Sequence, residues 1–199
     1  MKNKEICPEC GRPKAKTAGD AASGMCPKWW ATMDQAAEDD CEAFATHIKP
    51  NRPGWDEYFM NQAHLAATRS TCNRRQVGAV IVQDNMVVAT GYNGAPKGIK
   101  HCLGGVCIRE AKGIPSGQQH EICAAVHAEQ NALLQCAKLG IRTLGGIMYT
   151  TTYPCYICAK MIVNAGICMV IYDGDYPDEA AKALFKEAGI LVERQKAEV

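Results

Sequence analysis

Apolar positions divide the chain into two stretches of different character. Up to about residue 50 no alternation of apolar and polar residues is sustained, whereas from Trp55 onward the pattern becomes regular. Helical spacing runs over residues 57–69. Two short runs rich in Val and Ile, 77–82 and 86–90, flank Asp84-Asn85, which predicts two strands joined by a hairpin turn. Helical spacing returns at 127–139 and stops at Gly140, a residue suited to closing a helix. There follow a strand at 146–151, a helix at 155–165 ended by Gly166, a strand at 167–172, a helix at 178–188 and a strand at 190–192. Strand, helix, strand, helix, strand at this spacing predicts parallel pairing through right-handed crossovers, added to the earlier hairpin. The expected fold is therefore α/β, a mixed five-stranded sheet between helices. Residues 47–54, with Pro50 and Pro53, read as a linker. This gives an amino-terminal segment at 1–50 and a main domain at 51–199.

Composition narrows the class. A chain of 199 residues can bury a substantial core, and no apolar run is long enough to span a bilayer, so no membrane partner is expected. The stretch Met1 to Cys10 is polar, without the apolar centre of a secretory signal, and cytoplasmic residence is the default expectation. In that reducing compartment the twelve cysteines read as metal ligands or buried thiols rather than disulfides. A formal charge of +1 gives no electrostatic reason to expect binding to long nucleic acid.

The most specific chemistry lies in His127-Ala128-Glu129 and, downstream, Pro154-Cys155-Tyr156-Ile157-Cys158. One His, two Cys and a nearby Glu at this spacing form the signature of zinc deaminases acting on nucleobases. Three protein ligands, His127, Cys155 and Cys158, leave the fourth tetrahedral position open to water, which separates a catalytic zinc from a closed structural one. The metal lowers the pKa of that water towards neutrality. Glu129 lies two positions from His127 and would not share a helix face with it, so it is expected as the proton carrier rather than a ligand. Pro154 is expected at the first helical position, with Cys155 and Cys158 on one face and both thiolates favoured by the helix's positive end. A structural zinc with an incidental glutamate is the competing reading, but it would need a fourth protein ligand.

The sequence resembles the deoxycytidylate (dCMP) deaminases of the cytidine-deaminase superfamily from about Trp55 to about Val192. Six blocks carry the likeness in order: Trp55 to Met60, Arg69-Ser70-Thr71-Cys72, Val77 to Val80, Gly91-Tyr92-Asn93-Gly94, His127 to Ala132 and Pro154 to Lys160. The zinc motif alone would fit several nucleobase deaminases; the Trp55 and Gly91 blocks point to the nucleotide branch. The resemblance implies a cytidine-deaminase-like three-layer α/β/α domain that converts dCMP to dUMP, the precursor for thymidylate synthesis. It makes His127, Cys155 and Cys158 ligands of a catalytic zinc and Glu129 the proton shuttle. It suggests Asn93 as a substrate contact, against a left-handed turn residue beside Gly94. Arg69 is suggested near the 5′-phosphate, where it would suit bidentate binding, against an ordinary surface arginine. Tyr176 would close over the nucleotide, against a plain turn. Family members commonly form homo-oligomers, hexamers among them, activated by dCTP and inhibited by dTTP. Lys138 and the loop Gly94-Ala95-Pro96 lie in the regions so implied.

Other thiols suggest one or two structural zincs. Cys72, Cys102, Cys107 and Cys123 form a candidate closed site, with His120 or His101 as substitutes, against buried free thiols. Cys7-x-x-Cys10-Gly11 resembles half of a zinc ribbon, and Cys26 with Cys41 or His47 would complete it. So short a segment would depend on metal to fold. Cys136 and Cys168 read as packing residues. Two other functions stay open at this point. An editing deaminase acting on tRNA or single-stranded DNA predicts salt-dependent oligonucleotide retention, and a non-catalytic nucleic-acid-binding or assembly scaffold predicts partner binding indifferent to Glu129→Gln.

Overall fold

The computed structural model describes residues 52–195 except Ser116 and Pro177, so the expected amino-terminal site of Cys7, Cys10, Cys26 and Cys41 lies outside the described residues. The first helix, α1, spans Trp55–Ala67 and leads into the hairpin of β1 (Gly78–Gln83) and β2 (Met86–Tyr92). Asp84 and Asn85 both take positive φ, 49° and 58°, the backbone a two-residue hairpin turn requires. A long connection follows, carrying a one-turn helix α2 (Ile108–Ala111) and a 3₁₀ turn at His120–Ile122, neither of which has enough apolar periodicity to announce itself in the sequence. Then come α3 (Ala128–Leu139), β3 (Ile147–Thr152), α4 (Tyr156–Asn164), β4 (Met169–Gly174), α5 (Glu179–Glu187) and β5 (Leu191–Arg194).

The sheet order is β2-β1-β3-β4-β5. β1 is antiparallel to both β2 and β3, whereas β3, β4 and β5 run parallel, the mixed sheet that the element order predicts. Both faces are buried. Val80, Val82, Tyr149 and Ile171 pack on one face against Phe59, Met60 and Ala63 of α1. Ala79, Ile81, Met148 and Val170 pack on the other against Ala132 and Cys136 of α3, Ile162 of α4 and Phe185 of α5. Burial on both faces explains why β1 reads as an unbroken apolar run rather than an alternating one.

Two details differ from expectation. α1 ends at Ala67, so Arg69 lies beyond the helix rather than in its last turn. Pro154 precedes the N-cap residue Cys155 and is outside the helix, where it fixes an extended approach to the first turn. One glycine sets the position of α3 directly: a Cβ on Gly91 of β2 would overlap the Ala128 carbonyl oxygen and the Ala132 amide nitrogen. Only hydrogen at this position lets the helix carrying Glu129 press onto the strand.

Candidate active site

Two helix N-termini converge on one point. His127 is the N-cap of α3, with extended backbone, and Glu129 is the second residue of that helix. The Gln130 side chain accepts a hydrogen bond from the His127 backbone amide at 2.9 Å, and the Asn131 side-chain Nδ2 donates to the Tyr92 carbonyl at 2.7 Å, which ties the helix start to β2. Cys155 is the N-cap of α4 and Cys158 lies in its first turn. Asp178 accepts from the Tyr156 amide at 2.8 Å and from the Ala181 amide at 3.0 Å, so one carboxylate joins the starts of α4 and α5.

The His127 Nδ1 atom lies 3.4 Å from both the Cys155 and Cys158 sulfurs. A tetrahedral zinc with ordinary Zn–S and Zn–N bonds would set its nitrogen and sulfur ligands about 3.6 Å apart, so these donors fit the metal. Among the described residues this is the one group of three or more His, Cys, Asp or Glu donors lying within 4.8 Å of one another. Hydrogen bonding from Cys158 and then from His127 pulls the Cys155 thiol down to about 4. The same bond with Cys155, reinforced by burial, holds Cys158 up. A cation at this point would favour loss of the protons from both thiols. The Cys155 contact raises the His127 pKa.

Glu129 is 4% exposed. Burial raises its pKa, with the neighbouring His127 opposing that shift in part. A buried carboxyl whose proton affinity is raised is suited to carry a proton.

The pocket over these groups is lined by Arg74, Arg75, Asn93, Arg109, His120, Glu129, Tyr153, Cys155 and Tyr176, together with Cys72, Cys102, Cys107 and Cys123. Of the sequence-derived substrate contacts, Asn93 and Tyr176 are here and Arg69 is not. Arg69 is exposed, because the chain has already left α1 and turned before reaching it. Sequence reasoning missed Arg74, Arg75 and Arg109. The first two stand a few residues after Arg69, and Arg109 has no local signal.

Arg109 is 7% exposed, its Nη2 donates to the Pro115 carbonyl at 3.0 Å, and its Nε has no hydrogen-bond partner. Among the described residues no carboxylate pairs with it. Asn93 does not take the left-handed backbone that its place before Gly94 suggests; among the described non-glycine residues only Asp84, Asn85 and Gln119 do. Its Oδ1 accepts from the Ser70 hydroxyl at 2.6 Å and the Val77 amide at 2.9 Å, and its amide donates to the Arg75 carbonyl at 2.8 Å. One amide hydrogen remains for a ligand. The His120 ring meets His127 edge-on at 5.0 Å, its Nε2 is 3.3 Å from the Tyr176 hydroxyl, and its Nδ1 is buried without a partner.

The four candidate structural ligands line one pocket but are not drawn into a closed cluster of the kind His127, Cys155 and Cys158 form. They nevertheless affect one another. Burial raises the Cys102 pKa, and Cys107, Cys123 and Cys72 raise it further.

A nitrogen and two sulfur donors, a buried carboxyl beside them and a polar cleft in front define a metal-dependent hydrolytic deaminase. Residues 53–173 match the model of the cytidine and deoxycytidylate deaminase zinc-binding region, and the chain belongs to that family. Over 145 residues it is 45% identical to ComE operon protein 2 of Bacillus subtilis, covering 72% of each chain. It is 41% identical over 146 residues to the deoxycytidylate deaminase of Schizosaccharomyces pombe, covering 72% of this chain but only 45% of the length of that enzyme. The structure of the dCMP deaminase from the cyanophage S-TIM5, solved with dCMP and dUMP, superposes with a TM-score of 0.61 at 31% identity. That likeness covers 75% of this chain and all (100%) of that one.

Proposed function

We propose that the protein hydrolyses dCMP to dUMP and ammonia, and so supplies dUMP for thymidylate synthesis. The observation that carries the nucleotide reading is Arg109, a buried guanidinium that has no carboxylate partner among the described residues, opening onto the pocket of a deaminase. A buried charge of this kind is stable only when paired, and a nucleotide phosphate supplies the missing anion. Arg74, whose Nη1 is also buried without a partner, and Arg75 extend the same positive wall. The ligand-bound relative supports a mononucleotide over a polynucleotide.

His127, Cys155 and Cys158 would hold zinc, and their imidazole and thiolates would balance its charge. A zinc ion held there would supply the Lewis acidity that makes water nucleophilic near neutral pH. Glu129 accepts a proton from the attacking water and delivers it to ring nitrogen N3, then takes the proton of the new C4 hydroxyl and passes it to the amino group, which leaves as ammonia while C4 becomes a carbonyl. Asn93 offers its remaining amide hydrogen to the nucleotide, and Tyr176 covers it at the mouth of the pocket. The four thiols Cys72, Cys102, Cys107 and Cys123 would be the donors of a second zinc site, a reading supported by their shared position on the pocket wall.

Ammonia release by the zinc-loaded protein from dCMP and deoxycytidine, measured side by side, tests this. Turnover of dCMP well above deoxycytidine, abolished by Glu129→Gln, is expected. Equal turnover of both would remove the phosphate from the argument, and silence on both would overturn the reading.

A further inference from the structure

Between β4 and α5 the chain crosses the rim of the pocket, and Tyr176 stands at the middle of that crossing. Its hydroxyl meets His120, and the Arg75 guanidinium lies 5.8 Å from its ring centroid. A Cβ on Gly117, at φ 83°, would come within 2.7 Å of the same hydroxyl, so the connection before α3 docks directly beneath Tyr176. Tyr176 is therefore the contact at which the β4–α5 crossing and the β2–α3 connection close the pocket.

What holds the crossing lies outside the pocket. Arg194, in the last strand β5, donates from Nε to the Asp173 carbonyl at 3.1 Å and pairs through Nη1 with the Asp175 carboxylate at 2.8 Å. The residues it grips are Tyr176's near neighbours. Arg75 adds a longer bond to the Asp175 carbonyl at 3.3 Å. The pair formed by Arg194 and Asp175 is 43% and 66% exposed, so it adds little to global stability. Its two-point grip instead fixes the path of a short connection, for which a guanidinium fork is suited and a single ammonium is not.

We propose that Arg194 is a positioning residue for the deaminase pocket, acting through Asp175 to hold Tyr176 over the bound nucleotide. The proposal rests on the reading of this pocket as the nucleotide site. It predicts that Arg194→Ala raises KM for dCMP by about fivefold to tenfold while kcat stays within about twofold. The thermal midpoint should move by no more than about 3 °C. Arg194→Lys, which keeps the ion pair, should recover part of the loss. Because Arg194 acts through Tyr176, adding Arg194→Ala to Tyr176→Phe should cost less than the product of the two single effects. Fully multiplicative effects, or an unchanged KM in Arg194→Ala, would overturn the proposal.

A second measurement needs no turnover. Hydroxyl-radical footprinting of the full-length zinc-loaded protein should show Tyr176 oxidised about threefold faster in Arg194→Ala as its burial loosens, with the core residue Tyr149, which packs on the other face of the sheet, unchanged as control. Equal labelling of Tyr176 in both proteins would refute the positioning role. If the wild type failed to deaminate dCMP, the functional reading would fall while the footprint still decided whether Arg194 holds Tyr176.

Discussion

Arg109→Met separates the cost of a buried cation from its use. In the free protein the guanidinium is 7% exposed, with one hydrogen bond to a carbonyl and an unsatisfied Nε. An unsatisfied buried donor costs about 1–3 kcal/mol, and methionine keeps the apolar stem while removing that donor. The lost bond to the Pro115 carbonyl offsets part of the gain, because Pro115 is exposed and water can replace it. The free variant should therefore be neutral to about 2 kcal/mol more stable, a rise of roughly 0–8 °C in thermal midpoint. With dCMP the balance reverses. Each charged hydrogen bond to the phosphate is worth about 1.5–3 kcal/mol, so kcat/KM should fall by roughly 10- to 150-fold. Deoxycytidine, which lacks the phosphate, should be turned over as before. Calorimetry on the unliganded protein and steady-state ammonia release with both substrates provide the measurements. Parallel losses on dCMP and deoxycytidine, or a midpoint lowered by more than about 5 °C, would refute the reasoning, since Arg109 would then be a structural support.

Three further outcomes follow from the geometry. Cys158→Ser should lose the metal that His127, Cys155 and Cys158 would hold, reducing zinc content by one equivalent in elemental analysis and abolishing ammonia release, because a buried hydroxyl is a poor substitute for a thiolate. Gly91→Ala should push α3 off the sheet and lower stability by about 1–3 kcal/mol in urea titration; an unchanged midpoint would show that the helix can shift freely. Cys136 is buried and burial raises its pKa, so it should resist iodoacetamide under conditions that label the exposed Cys168; peptide mapping that finds both modified at equal rates would contradict the packing.

The cluster of His127, Cys155 and Cys158 was legible because local structure fixes it. Cys155 and Cys158 share one helix turn and His127 caps another, so sequence spacing alone nearly determines their geometry. The sheet was legible for a similar reason, since its strands and helices follow one another without long detours. The arginines were not. Arg69 and Arg74 are five positions apart, and which of them faces the pocket depends on where α1 stops and how the following residues turn. Arg109 is carried in by a connection whose path is set by tertiary contacts such as the Gly94–Val126 bridge rather than by periodicity.

Asn93 shows how a motif can carry two kinds of information. Its side chain joins the Ser70 hydroxyl, the Val77 amide and the Arg75 carbonyl, so it fixes the segment between α1 and β1 against the end of β2. The likeness of the Arg69-Ser70-Thr71-Cys72 and Gly91-Tyr92-Asn93-Gly94 blocks to one family is thus also a likeness in a structural joint. That joint sets where Arg74 and Arg75 enter the pocket. Through its hydrogen bond to the Arg75 carbonyl, Asn93 helps position the arginines of the pocket wall.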